Sequence, residues 1–100
     1  MDEAAAHYMA LVEALVAASE NLSPHLSPLG AGIIAGLALG IAADSRSFAR
    51  VLGVAHALVL REVNGLAADG GYIRIVQRDP RTQRTGYELS PAGRQLIDSI

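Results

Sequence analysis

Residues 30–43 read GAGIIAGLALGIAA. No charged side chain occurs from Asn21 to Ala43, and Gly32, Gly36 and Gly40 recur at every fourth position. Such a stretch admits three readings: a membrane span packed through small residues, the glycine turn of a dinucleotide-binding unit, or a buried helix inside a compact domain. A span needs ~20 apolar residues. The unbroken apolar run here covers residues 29–43, and going backwards it meets Pro28, Ser27, His25, Pro24 and Ser23. A dinucleotide turn needs a strand before it and an acid ~20 residues later, closing a βαβ unit. LSPHLSP is no strand, and helical spacing follows. Each glycine inside a helix costs up to ~1 kcal/mol relative to alanine, a cost offset where a neighbouring helix or backbone approaches closely. The stretch therefore predicts a central core helix over 28–43, with a scaffold role and no membrane.

The rest of the chain predicts a single domain over 1–100, mostly α with a small β-hairpin, in the order α-α-α-α-β-β-α. In residues 2–22, Tyr8, Leu11, Leu15, Ala18 and Leu22 form an apolar seam widened by Val12 and Val16. NLSPHLSP is a loop with two prolines. Ser27-Pro28 and Ser90-Pro91 each pair an N-cap residue with a proline suited to the first turn. Ser45 predicts the cap of a short helix over 46–52, ended by Gly53. A further helix is expected over 55–69, ended by Gly70-Gly71. YIRIVQR then alternates with period two, DPRTQR makes a turn and TGYEL alternates again, a hairpin pattern. AGRQLIDSI is the closing helix, within 91–100.

Charge is divided unevenly. Residues 1–44 carry five acids and no Lys or Arg; residues 45–100 carry all eight arginines against five acids, a balance of +3 within a chain of net charge −2. A basic half joined to an acidic one suits a polyanion-binding module with another element attached. Two ordinary solvated faces produce the same division. The absence of cysteine excludes a disulfide scaffold, a thiolate metal site and a thiol redox sensor. The start, MDEAAAHYMALVEALV, lacks the basic residues of a signal peptide, so a cytoplasmic location is expected.

The most informative run is SRSFARVLGVAHALVLREVNGLAADGGYI, residues 45–73. Ala49 is a small residue four positions before Gly53, which allows a tight turn. Val59, Val63 and Leu66 follow at helical spacing and are expected to face the core with Phe48, Leu52 and Val54. This is the helix-turn-helix pattern. The opposite face of the second helix carries His56, Ala57, Leu60, Arg61 and Asn64. Arginine and asparagine can contact guanine and adenine bidentately, and an apolar side chain can meet the thymine methyl. The hairpin tip holds Arg78, Arg81 and Arg84 among small polar residues, which suits phosphate contact or minor-groove insertion.

These stretches resemble the winged helix-turn-helix regulators of the MarR (multiple antibiotic resistance regulator) type. The resemblance is carried by PLGAGIIAGLALG, FARVLGVAHALVLREVNGLAADGGYI and RDPRTQRTGYELSPAGRQLI, whose LSPAGR is similar to the Leu-Thr-x-x-Gly ending of that family. It covers about residues 27–98. It implies a winged-helix core over 27–90 that binds duplex DNA as a homodimeric transcriptional repressor. Helix 55–69 would enter the major groove, and wing 78–85 the minor groove or phosphates. Arg81 or Arg84 would reach the minor groove, Asp79 would orient an arginine at the tip, and Arg46 and Thr82 would support the wing. The first helix, over 1–22, and the last would form the dimer through Tyr8, Leu11, Leu15, Leu22, Leu96 and Ile100. The alternative is a winged-helix protein-interaction or dimerisation module, motivated by Leu60 on the reading face and by the acidic first half.

Nothing in the sequence supports catalysis. His7, His25 and His56 lie on three separate segments without metal-ligand spacing. No Ser-His-Asp set, paired-carboxylate motif or phosphate loop with Lys is found. The expectation is a protein that is not an enzyme and has no cofactor or metal. His7, Tyr8 and His25 could line a small-molecule effector pocket beside the first helix, but ordinary packing around the dimer seam is the favoured reading.

Overall fold

The computed structural model describes residues 2–23 and 25–100; Met1 and Pro24, the latter one of the two expected loop prolines, lie outside the described residues. The elements are α1 (Glu3–Ser19), α2 (Pro28–Ala38), α3 (Ser45–Leu52), α4 (His56–Leu66), β1 (Ile73–Arg78), β2 (Thr85–Leu89) and α5 (Pro91–Asp98). The chain is mostly helical with one antiparallel hairpin.

Local chemistry starts each helix but one. The Asp2 carboxylate accepts the Ala5 N–H at 2.7 Å. Both Ser-Pro starts form as expected, with Ser27 accepting from Gly30 N–H at 3.0 Å and Ser90 from Gly93 N–H at 3.1 Å. Asp44 caps α3 by accepting the Ser47 N–H at 2.8 Å. This displaces the expected cap, Ser45, into the first turn, where it is buried. α4 follows Ala55, whose methyl group cannot cap.

Three helices are shorter than their sequence periodicity implied, each for a local reason. α1 ends at Ser19, whose buried hydroxyl donates to Val16 C=O at 3.1 Å and accepts the Leu26 N–H at 2.8 Å, turning the chain. α2 ends at Ala38 rather than 43. Gly40 adopts φ +70°, Ile41 N–H reaches back to Gly36 C=O at 2.8 Å and Gly40 N–H to Leu37 C=O at 3.2 Å. That pair of bonds closes the helix in a Schellman motif and leaves Leu39 and Ile41 exposed. α4 ends at Leu66 rather than 69, in a turn leading to Gly70.

The opening stretch supplies the centre of the core, where Gly30–Gly36 is buried without interruption. Its glycines make room for aromatic side chains rather than for another backbone. A Cβ on Gly32 would run into the Tyr8 hydroxyl, and one on Gly36 would stand 3.5 Å from the Phe48 ring. Tyr8 donates its hydroxyl hydrogen to Gly32 C=O at 3.1 Å. Leu15, Ile33, Ile34, Phe48, Val59, Val63, Ile73, Tyr87 and Leu96 complete the core. Among the described residues no helix is long and apolar enough to cross a membrane.

This packing corrects the expected dimer seam. Tyr8, Leu15 and Leu96 are buried in the chain's own core, and Leu11 packs half-buried against it. The reason is that the apolar α2 needs a cover, and α1 provides it within the same chain. Leu22 and Ile100 are the two expected dimer residues that stay exposed, at 48% and 53%.

In the hairpin Ile73 pairs with Leu89, Ile75 with Tyr87 and Arg78 with Thr85, with a bulge between Ile75 and Gln77. Residues 43–44 line the other edge of β2: Tyr87 N–H donates to Ala43 C=O at 3.1 Å, and Asp44 bridges Gly86. Among the described residues, the buried Tyr87 hydroxyl has no hydrogen-bond partner. Burial, reinforced by the Asp44 charge and by Tyr8, pushes its pKa far up and keeps it neutral. An unsatisfied buried hydroxyl is destabilising, so Tyr87→Phe should raise stability by ~1 kcal/mol in urea titrations. A variant that melts below the wild type would show that the hydroxyl has a partner after all.

Candidate nucleic-acid interface

α3 and α4 are joined by a tight turn in which Gly53 takes φ +67°, a conformation that side chains resist, and Val54 N–H bonds Ala49 C=O at 3.0 Å. Phe48 and Ala49 on α3, with Val59 and Val63 on α4, are buried and hold the pair to the core. On α4 the turn leaves Ala57, Arg61 and Asn64 exposed along one line, with Leu60 half-buried at its flank. Leu58 is also exposed, at 48%. It escaped the sequence reading because helical spacing sets it on the other flank of the same face.

His56 differs from the other four reading-face residues. Its Nε2 lies 2.8 Å from Ser45 Oγ, and that same oxygen accepts the Thr85 N–H at 3.0 Å. With one hydrogen and two lone pairs, the Ser45 hydroxyl can accept from Thr85 and still either donate to Nε2 or accept from it. Burial lowers the His56 pKa, the Arg46 charge lowers it further, and Asp44 opposes both. The pair ties the first turns of α3 and α4 to the start of β2.

The hairpin tip is anchored by contacts that the sequence did not reveal. Asp79, expected to orient an arginine, instead accepts backbone N–H groups from Arg81 at 2.8 Å and Thr82 at 3.2 Å. A short side chain at a turn reaches its own following backbone more easily than a distant guanidinium. The Thr82 carbonyl accepts from Arg46 Nη2 at 3.2 Å, which ties the tip to α3. Arg84, expected in the minor groove, is held by Asp44: Nε lies 3.0 Å from Oδ1, and Nη2 donates to Ser47 Oγ at 3.3 Å. Arg78 Nη2 donates to Asn64 Oδ1 at 2.7 Å, linking wing and α4. Arg61 and Arg81 are exposed, and among the described residues no hydrogen-bonding group meets either guanidinium.

Asp44 is the residue that sequence reasoning missed most plainly. It caps α3 and grips Arg84. Burial alone would raise its pKa, but the Ser47 N–H, the Arg84 guanidinium and the Ser47 hydroxyl outweigh that and lower it. Its signal was an acid three positions before Ser47, the spacing of an N-cap.

The three residues considered for an effector pocket do not line one common concavity. His7 shares a concavity with Glu3, Ala4, Leu39 and Ile41, while Tyr8 borders another with Asp2, Ala5, Val51 and Leu52. His25 lines neither. Compared with protein-family models, curated proteins and solved structures, the chain finds no match.

Proposed function

We propose that the chain is a winged helix-turn-helix regulator of transcription, of the MarR type, that binds duplex DNA as a homodimer in the cytoplasm. The observation that carries this reading is the coupling of wing to helices through Arg78–Asn64, Arg46–Thr82 and Arg84–Asp44. These bonds tie the hairpin to α4, to α3 and to the cap residue of α3, beside the outward face of α4 that carries the exposed Arg61. Arg61 reads bases from the middle of α4. Asn64 Oδ1 already accepts from Arg78, so in the resting chain Asn64 also positions the wing. Arg81 supplies charge to the backbone or minor groove. The dimer forms at the junction of α1 and α5, where Leu22 and Ile100 remain exposed; a two-fold pair would set two α4 helices one DNA turn apart, ~34 Å.

Duplex binding at several salt concentrations tests the reading. Binding should weaken steeply with salt, and Arg81→Ala should lower the slope by roughly 1 on every duplex. Arg61→Ala should instead relax base preference, by ~1–3 kcal/mol if its contact is bidentate. Equal, salt-insensitive affinities for all three proteins remove the proposal. They would favour the second reading, a protein-binding module, which rests on Leu39, Ile41, Val51 and Leu52 lying exposed along two adjoining concavities.

A further inference from the structure

Arg46, Ala49 and Arg50 follow i, i+3, i+4 spacing and so share one face of α3. With Val54 and His56 they line a concavity of about 310 Å3 between that face and the start of α4. The lining holds two guanidinium groups and one imidazole, and no acid. Arg46 spends one N–H on the Thr82 carbonyl, which leaves most of its five donors unspent. The adjacent α4 terminus has no side-chain cap, so the His56 and Ala57 N–H groups have no capping side chain as acceptor. A tetrahedral oxyanion with one or two negative charges matches this donor set.

His56 adds a property that arginines cannot. Its Nε2 lies 2.8 Å from Ser45 Oγ, which also accepts from Thr85, and in a neutral ring Nε2 can take the Ser45 hydrogen. The charged groups around the ring are Arg46 and Arg50 from α3, and Asp44 at the head of α3, itself held by Arg84 of the wing. In the free chain this balance favours the neutral ring. An anion seated between Arg46, Arg50 and His56 would cancel the repulsion from the arginines and favour the imidazolium. Both ring nitrogens would then donate, with the Ser45 oxygen accepting from Nε2 as it does from Thr85.

We propose that this concavity holds one backbone phosphate of the duplex and takes up a proton from solvent at His56 as it fills. The inference rests on the duplex-DNA reading above. DNA binding is then a pH-linked event. Binding tightens as the pH falls from the value of the bound ring to that of the free ring, by up to about tenfold per pH unit if one proton is taken up. Below that value His56 is charged with or without DNA, and the dependence disappears.

The test uses the full chain and a mixed-sequence duplex. Calorimetric titrations at one pH in two buffers of different ionisation enthalpy count the protons taken up. The wild type should take up protons between pH about 6 and about 8. His56→Gln keeps an acceptor for Ser45 but cannot titrate; it should bind at the upper pH and take up none. Arg50→Gln should bind more weakly and lower the salt slope by roughly 1. Salt-sensitive binding by the wild type without proton uptake overturns this inference and leaves the DNA reading standing. Uptake that persists in His56→Gln also overturns it. No salt-sensitive duplex binding at any pH overturns both. Should His56→Gln fail to fold, the His56 ring can be titrated by NMR in the wild type, with and without duplex; an unchanged midpoint overturns the inference.

Discussion

Replacing Phe48 by alanine is expected to cost about 3–5 kcal/mol of folding stability, a large part of what a domain of this size has. Phe48 is 1% exposed. It is the large apolar side chain through which α3 is anchored, since the other buried residues of that helix are Ser45 and Ala49. Its ring lies against Gly32 and Gly36, which have no side chains to move into a void. The cavity left by Phe48→Ala therefore stays open, and cavities that cannot collapse are the costly ones. Phe48→Leu should recover most of the loss. Urea denaturation of both variants measures this. A cost below ~1 kcal/mol for the alanine variant would mean that α3 is held by something other than this ring.

The second large effect is expected at Asp44. Asp44→Ala removes the α3 cap, worth ~1 kcal/mol, and the Arg84 ion pair, which adds at most ~1 kcal/mol because the arginine is half exposed. It also frees the wing tip. Asp44→Asn keeps a capping oxygen and loses the charge, so it should retain helix stability and lose mainly the grip on Arg84. Hydrogen exchange over residues 79–84 separates the two variants: faster exchange in both, with a large drop in melting temperature in the alanine variant alone. Acid should reproduce part of this in the wild type. Folding lowers the Asp44 pKa from its ordinary 3.8. Its contribution is therefore complete above that ordinary value and is lost as the pH falls through the lowered one. His56 acts at a higher pH with the same sign. Its folded pKa lies below the ordinary 6.5, so the stability it contributes is present above 6.5 and fades as the pH falls through the folded value. Equal acid sensitivity in wild type and Asp44→Asn would remove Asp44 from this account.

Much of the architecture was legible because it depends on near neighbours. Ser27-Pro28 and Ser90-Pro91 start helices wherever they are, since cap and first turn lie within three residues. The change from helical to alternating spacing at Tyr72 marked the hairpin. Gly53 marked the turn of the helix pair, because a left-handed residue there is a local steric requirement. Ala57, Arg61 and Asn64 could be set on the outward face of α4 by spacing alone.

What the sequence left open was every choice between partners far apart in the chain. The Tyr8–Leu22 seam was apolar by itself, and nothing local told whether α2 or a second subunit would cover it. Gly40 shared the spacing of Gly32 and Gly36, yet it closes the helix while they make space for Phe48 and Tyr8. Arg81 and Arg84 looked alike at the hairpin tip; only the return of the chain past Asp44, forty residues earlier, holds one and leaves the other free. Hydrophobic periodicity shows that a face must be buried, and charge shows that a side chain seeks a counterpart. Neither names the partner, because that depends on which segments the fold brings within a few ångströms of each other.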